Sequence, residues 1–388
     1  MEQTLLIKGG QIITPERYLS NGWLYIKDGV IQDIGSEDQI PLYEAGNTIH
    51  LQQGEYVFPG FIDIHIHGAS GYDFMDGQEA VESIAHVLPQ EGTTSFLATT
   101  ITSDENTTIK ALEGIAAYAK RPSKGAELLG VHLEGPFINP VFAGAQPISA
   151  IQVPNIEQFK YWNEVADQLI KVVTLASEQP NGNSLIDFLH NQRIVPSIGH
   201  SNATFEEVQL AIESGLKHAT HFYNAMSKLH HREPGVVGSV LLSDLYAEII
   251  FDGIHVRDEM VELAVRMKTS DRMILITDSM RGKNLSNGSY DLGGQQVTLN
   301  NGEARLNDGT LAGSVLKMNE AVRHMSQIND VSLIDLAKMS SMNAAQSLGL
   351  TSKGSLDVGK DADVVIMDRQ FNVNQTIVDG NVVYEVEE

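Results

Sequence analysis

Residues 58–68 read FPGFIDIHIHG. A Pro59-Gly60 break releases Phe61, Ile62, Ile64 and Ile66, with Asp63, His65 and His67 alternating among them. A period of two is the pattern of a β-strand. Positions i and i+2 share a face, so His65 and His67 project the same way, about 7 Å apart along the backbone. Neutral imidazole is a common ligand for divalent metals. An isolated His-x-His pair serves equally well as two strand-end side chains facing solvent or a carbonyl. The remainder of the chain decides between these readings.

From residue 57 to 279 there are eight apolar, strand-like runs: Phe61–His67, Ser95–Thr100, Leu128–Glu134, Val172–Ala176, Ile194–His200, Ala219–Phe222, Glu248–Asp252 and Met273–Asp278. Helical patterns separate most of them, at Glu79–Gln90, Glu105–Lys120, Asn183–Asn191, Thr204–Ser214 and Asp258–Lys268. Thr204 followed by Glu207 is a capping box, and Asp258 stands where an N-cap would. The links 135–170 and 223–246 read as longer and looser, punctuated by Gly, Pro, Asn and Ser. Eight alternating βα units predict a (β/α)8 TIM-like barrel over residues 58–357. A doubly wound sheet is the alternative, but it wants an early glycine-rich phosphate loop, and no helix follows Gly9-Gly10. Residues 1–57 and 358–388 read as short strands and turns. They predict one small β-sandwich domain assembled from both ends of the chain.

Composition bounds the partners. The chain has 388 residues, 42% hydrophobic and 20% charged, as an ordinary globular protein has. Its 26 basic and 50 acidic residues give a net charge of -24, which argues against nucleic acid and anionic membranes. A local cluster can still bind a small anion inside an acidic protein. No cysteine is present, so disulfides, thiolate nucleophiles and Cys-bound zinc are excluded. Neither a signal peptide nor an apolar run of ~20 residues is apparent, and a cytoplasmic location is expected.

In a barrel, chemistry sits at the C-terminal ends of the strands. The first run ends in His65 and His67, the third in Glu134, the fifth in His200, the sixth in His221 and the eighth in Asp278. The seventh runs into Asp252-Gly253-Ile254-His255. A buried carboxylate or imidazole is costly unless paired or metal-bound. Each alone is more often a satisfied structural group; together they predict a metal site of His and carboxylate ligands. Such a set suits Zn2+, Fe2+, Co2+ or Mn2+.

These residues resemble the amidohydrolase superfamily, and more specifically its N-acetylglucosamine-6-phosphate deacetylases. The stretches PGFIDIHIHG, HLEGPFINP, GHSNAT, ATHFYNAM, HHREPG, DGIHV, ITDSM, GTLAGS and GSLDVGKDADVVIMD carry the likeness in order along nearly the whole chain. The resemblance implies that Glu134, His200 and His221 hold the principal metal and that Asp278 is the general acid/base. Some relatives replace the first-strand histidines with Gln and Asn and keep one ion. Retention of His65 and His67 favours a second ion, zinc or iron, with Glu134 bridging and Asp278 near the pair. The implied reaction removes acetate from N-acetylglucosamine 6-phosphate in amino-sugar metabolism. The phosphate is expected on Arg232, His255 and the Asn224-Ala225 backbone. The sugar is expected on Ala145-Gln146 and Leu311-Ala312-Gly313. Part of the phosphate grip comes from a neighbouring subunit in the family, so a homodimer is expected.

Some relatives carry histidine at the position of Gln146, and Gln cannot take a proton or a charge. His230 and His231 read as a solvated loop pair beside Arg232, and His132 as lining the site or orienting a ligand. Gly288–Asn307 reads as a hairpin-rich insertion, either a lid or an extension of the small sheet domain. Competing readings are N-acetylgalactosamine 6-phosphate as substrate, another amidohydrolase acting on a cyclic amide, and a barrel kept as a scaffold. The cyclic-amide enzymes would want a strand-end lysine, and a scaffold would have lost its ligands.

Overall fold

The computed structural model describes residues 3–36, 46–121 and 124–387. Residues 1–2, 37–45 and 388 of the expected terminal domain lie outside the described residues. Eight parallel strands form one sheet in sequence order: β1 (Phe61–Ile66), β2 (Thr93–Thr100), β3 (Glu127–Glu134), β4 (Ile170–Leu175), β5 (Val195–Ile198), β6 (His218–Ala219), β7 (Tyr246–Ile250) and β8 (Met273–Ile276). Each overlaps one of the apolar runs expected from sequence, β6 at Ala219 alone. The sheet closes on itself just beyond the strands. The Asp278 N–H donates to the His65 carbonyl at 2.8 Å, and the His67 N–H donates to the Ser279 carbonyl at 2.9 Å. Asp63, buried on β1, accepts from the Thr277 hydroxyl at 2.5 Å across the same seam. The result is a (β/α)8 barrel.

The helices around it are α1 (Gln78–Val87), α2 (Glu105–Ala119), α3 (Ile156–Val165), α4 (Gly182–Asn191), α5 (Phe205–Glu213), α6 (Gly235–Leu242), α7 (Asp258–Lys268) and α8 (Met318–Met325). Thr204 and Glu207 form the reciprocal capping box of α5. Two expectations need correction. The links 135–170 and 223–246 each contain a helix. In α3, Asn155 caps the first turn and Phe159 and Trp162 turn inward, a signal masked by the long loop before it. In α6, the sequence GVVGSVLL has almost every residue buried, so it shows no polar face for a helical period to reveal. Asp258 is the first residue of α7 rather than its cap; the extended residue before it is Arg257.

Strands from both ends of the chain interleave in a β domain. One sheet orders Val30–Ser36, Gly22–Lys27, Thr4–Lys8 and Asn47–His50. The other orders Asn381–Glu385, Val373–Val378, Val364–Met367, Tyr56–Pro59, Gln11–Ile13 and Tyr18–Ser20. Ile7, Ile12, Leu24, Ile26, Val57, Val364 and Ile377 share one apolar core. Burying each such side chain contributes about 1.5–3 kcal/mol. Val365, Met367 and Phe371 face the other way, into the barrel's core. Among the described residues, no helix is long and apolar enough to cross a membrane.

The insertion after β8 is a three-stranded antiparallel sheet, Gly288–Leu292, Gln295–Asn300 and Glu303–Leu306. Its small core, Leu292, Val297, Leu299 and Ala304, packs on Ile101 and Met280 at the barrel mouth. It is therefore a wall over the barrel and not an extension of the β domain.

Candidate metal centre and substrate cavity

Each chemistry-bearing residue leaves its strand at the same end of the barrel. Glu134 is the last residue of β3, His65 is the penultimate residue of β1, and His67 stands one past the end of β1. His200, His221 and Asp278 each stand two residues past β5, β6 and β8. These three have φ of 48°, 31° and 47°, in the left-handed region. Non-glycine residues there cost about 1–3 kcal/mol each and cluster at functional sites. The turn off each strand aims the side chain over the barrel axis.

The six side chains meet. Glu134 Oε1 lies 3.2 Å from His200 Nε2, 3.1 Å from His221 Nε2 and 3.6 Å from His65 Nε2. His67 Nε2 lies 3.2 Å from Glu134 Oε2 and 3.3 Å from Asp278 Oδ1. His65 Nε2 is 3.6 Å from Asp278 Oδ1. Two ligand triads result, Glu134/His200/His221 and His65/His67/Asp278, every member buried.

Hydrogen-bond partners fix the tautomers of His200 and His65. His200 Nδ1 donates to the Phe142 carbonyl at 2.8 Å, which leaves a lone pair on Nε2 of the neutral ring. That lone pair faces Glu134 Oε1 and, at 3.0 Å, His221 Nε2. His65 Nδ1 donates to Glu248 at 3.1 Å, while its Nε2 has no hydrogen-bond partner. In the neutral rings of His200 and His65, the Nε2 lone pairs therefore converge on the carboxylate oxygens of Glu134 and Asp278. Such a donor set repels itself unless a cation sits inside it, and it fits a divalent metal held by nitrogen and oxygen.

The electrostatics agree. Burial opposes the charge on Glu134, yet the imidazoles of His65, His200, His221 and His67 hold its pKa well below the usual carboxylate range. Burial also opposes protonation of His65, but Asp278, Glu134 and Glu248 push its pKa up to about 9. Asp278, likewise buried, is held down by His65 and His67. The cluster is a cage in need of positive charge.

Above it opens a cavity of about 460 Å³, lined among others by His67, Glu134, His200, His221 and Asp278. Ala145, Gln146, Asn224, Ala225, His255, Leu311 and Gly313 also line it, as expected from sequence. Ala312 is buried behind this wall, its N–H bonded to the Ala304 carbonyl at 2.9 Å. The Gln146 side chain bonds to protein: it donates to Glu134 Oε2 at 2.7 Å and accepts from the Thr102 N–H at 2.8 Å. His255 Nδ1 pairs with Asp252 at 2.7 Å, leaving Nε2 for a ligand. Arg232 lies outside the cavity on an exposed loop, against His231 at 2.7 Å. His132 donates to the Ile64 carbonyl at 2.9 Å and meets Thr174 Oγ1 at 2.7 Å.

Sequence reasoning missed Arg305 and Thr310, which reach the cavity from the three-stranded wall, and Glu248, which lies beneath it. Nothing local marks the first two, because their role depends on how an insertion folds back. Glu248 did leave a signal: a carboxylate inside the apolar run of β7.

Residues 56–383 match the model of the Amidohydrolase family. N-acetylglucosamine-6-phosphate deacetylase of Bacillus subtilis (strain 168) is 45% identical over 99% of this chain and 98% of its own. N-acetylgalactosamine-6-phosphate deacetylase of Escherichia coli O157:H7 is 34% identical over 97% of this chain and 98% of its own. A mutant N-acetyl-D-glucosamine-6-phosphate deacetylase of Mycobacterium smegmatis, solved in complex with N-acetyl-D-glucosamine-6-phosphate, superposes with a TM-score of 0.92 at 26% identity. That superposition covers 98% of this chain and 99% of the other.

Proposed function

The chain belongs to the amidohydrolase family, and we infer that it hydrolyses the acetamide of N-acetylglucosamine 6-phosphate to glucosamine 6-phosphate and acetate. The observation that carries this reading is the full-length relationship to the Bacillus subtilis enzyme. The convergent donor set under a sugar-sized cavity gives the relationship a chemical basis.

Glu134, His200 and His221 would hold one divalent ion; His65, His67 and Asp278, sharing Glu134, would hold a second, as zinc or iron. When bound, such an ion polarises the acetamide carbonyl and lowers the pKa of a water to ~7. Asp278 accepts a proton from the attacking water and gives it to the sugar nitrogen as the C–N bond breaks. Water's oxygen ends on acetate, and the amine leaves neutral before taking a proton from solvent. Gln146 holds Glu134 in place and so keeps the carboxylate aimed at the ligand histidines. His255 Nε2 and the backbone at Asn224-Ala225 bind the phosphate, while Ala145, Leu311 and Gly313 pack on the sugar, with Ala312 buried behind them. Arg232, exposed outside its own cavity, serves the phosphate of a second copy's site in a homodimer. A phosphorylated substrate and a chain without cysteine fit a cytoplasmic enzyme.

The test is acetate release from N-acetylglucosamine 6-phosphate, with and without chelator. Release that chelator abolishes is the expected result. Faster turnover of N-acetylgalactosamine 6-phosphate would move the assignment to the epimer. No release from either sugar would overturn it.

A further inference from the structure

Glu248 lies in the middle of β7 with no exposed surface. Among the described residues it pairs with no lysine or arginine. Its partners are imidazoles: His65 Nδ1 at 3.1 Å and His218 Nδ1 at 3.5 Å. A fully buried carboxylate is expensive to keep, and an apolar side chain in a barrel core would cost less. What the carboxylate provides is an acceptor that cannot donate, placed on one ring nitrogen of His65. In the neutral ring it obliges His65 to carry its proton on Nδ1 and to turn the lone pair of Nε2 toward Glu134 and Asp278, each 3.6 Å away.

His132 also approaches this group, so His65, His132 and Glu248 form a third cluster of ligand-type atoms. Both nitrogens of His132 are already bonded, to the Ile64 carbonyl and to Thr174, which leaves it no lone pair for a metal there. By contrast His65 has one nitrogen bonded below and one free above. An imidazole that binds a metal through one nitrogen and donates to a carboxylate through the other is oriented and made more basic by that carboxylate.

We propose that Glu248 is a positioning residue that locks His65 for the ion bound at His65, His67 and Asp278, and so sets whether the site holds two ions. The proposal rests on the reading of this cavity as a metal-dependent deacetylase site. Glu248 bonds to His65 and His218 and not to Glu134, His200 or His221, so an ion that those three would hold serves as an internal control.

The experiment is elemental analysis and stepwise chelator titration of the metal-loaded enzyme and of Glu248→Gln, which keeps the shape and loses the charge. One of two ions should leave Glu248→Gln at 10–100-fold lower chelator strength, the other as in the wild type. In a His65→Ala background the same change should add nothing. Glu248→Asp, which keeps the charge but falls short of His65, carries the same expectation and replaces the amide variant should that fail to fold. Equal loosening of both ions, no loosening, or an effect that persists without His65 would each overturn the proposal. So would a wild type that holds a single ion. Acetate release by that same wild-type sample, if chelator-sensitive, would leave the deacetylase assignment standing while the positioning role fell.

Discussion

Asp278 shows how much chemistry one residue's backbone can decide. Its φ of 47° turns the carboxylate away from β8 and over the barrel axis, 3.3 Å from His67 Nε2. Its N–H is spent on the His65 carbonyl, so the turn that aims the side chain also closes the barrel. The carboxylate is buried, and His65 and His67 hold its pKa down, which favours the ionised form that the proposed proton acceptor requires. Asp278→Asn preserves shape and an oxygen donor but cannot take that proton. We expect kcat to fall by about 10²–10⁴ with metal content and thermal stability nearly unchanged. Steady-state kinetics beside elemental analysis checks this, and near-normal kcat would remove Asp278 from the proton path.

At the scale of elements, the strand ends of the barrel carry the candidate ligands and the connections between them line the cavity. The connection from β6 to α6 does both, since His221 leads into Asn224 and Ala225 in the cavity and then to the exposed Arg232. A planar guanidinium suits phosphate through paired, charge-assisted bonds. Exposed beyond its own cavity, it would meet the phosphate across the interface of the proposed dimer. Arg232→Ala should raise KM for the phosphorylated sugar at least tenfold, about 1.4 kcal/mol, and leave KM for free N-acetylglucosamine unchanged. Equal effects on both sugars would detach this loop from phosphate binding. The wall of residues 288–306 illustrates a different division: its turns were readable as hairpins, but its place over the cavity comes from Leu292 and Val297 packing on Ile101 and Met280.

The whole molecule buries several titratable groups that depend on one another, and acid should test them together. His132, fully buried and next to His65, has its pKa pushed down from 6.5 to about 4. An imidazole with a lower pKa in the fold than in the unfolded chain gains its proton more readily on unfolding. Its share of stability is therefore whole above pH 6.5 and drains as pH falls toward 4, by roughly 3 kcal/mol at most. Denaturant titrations of metal-free protein between these pH values should show the loss, and His132→Gln should flatten the slope. An unchanged slope in that variant would place the acid sensitivity elsewhere.

The sequence by itself pointed to the barrel, because a period of two in FIDIHIH and seven further apolar runs alternate with helical patterns, and the doubly wound alternative lacks its glycine-rich phosphate loop. It also marked the candidate ligands, since His65, His67, Glu134, His200, His221 and Asp278 each lie at the end of such a run, where a polar group is otherwise costly. Tertiary structure alone decided which nitrogen of His65 and of His200 is free, because that depends on Glu248 and Phe142, distant in the chain. It decided too that Gln146 holds Glu134, that Arg305 joins the cavity and that Arg232 stays out of it. Burial patterns are local and periodic, so a chain announces them. Hydrogen-bond partners and cavity walls come from residues tens to hundreds of positions apart, and only the closed barrel brings them together.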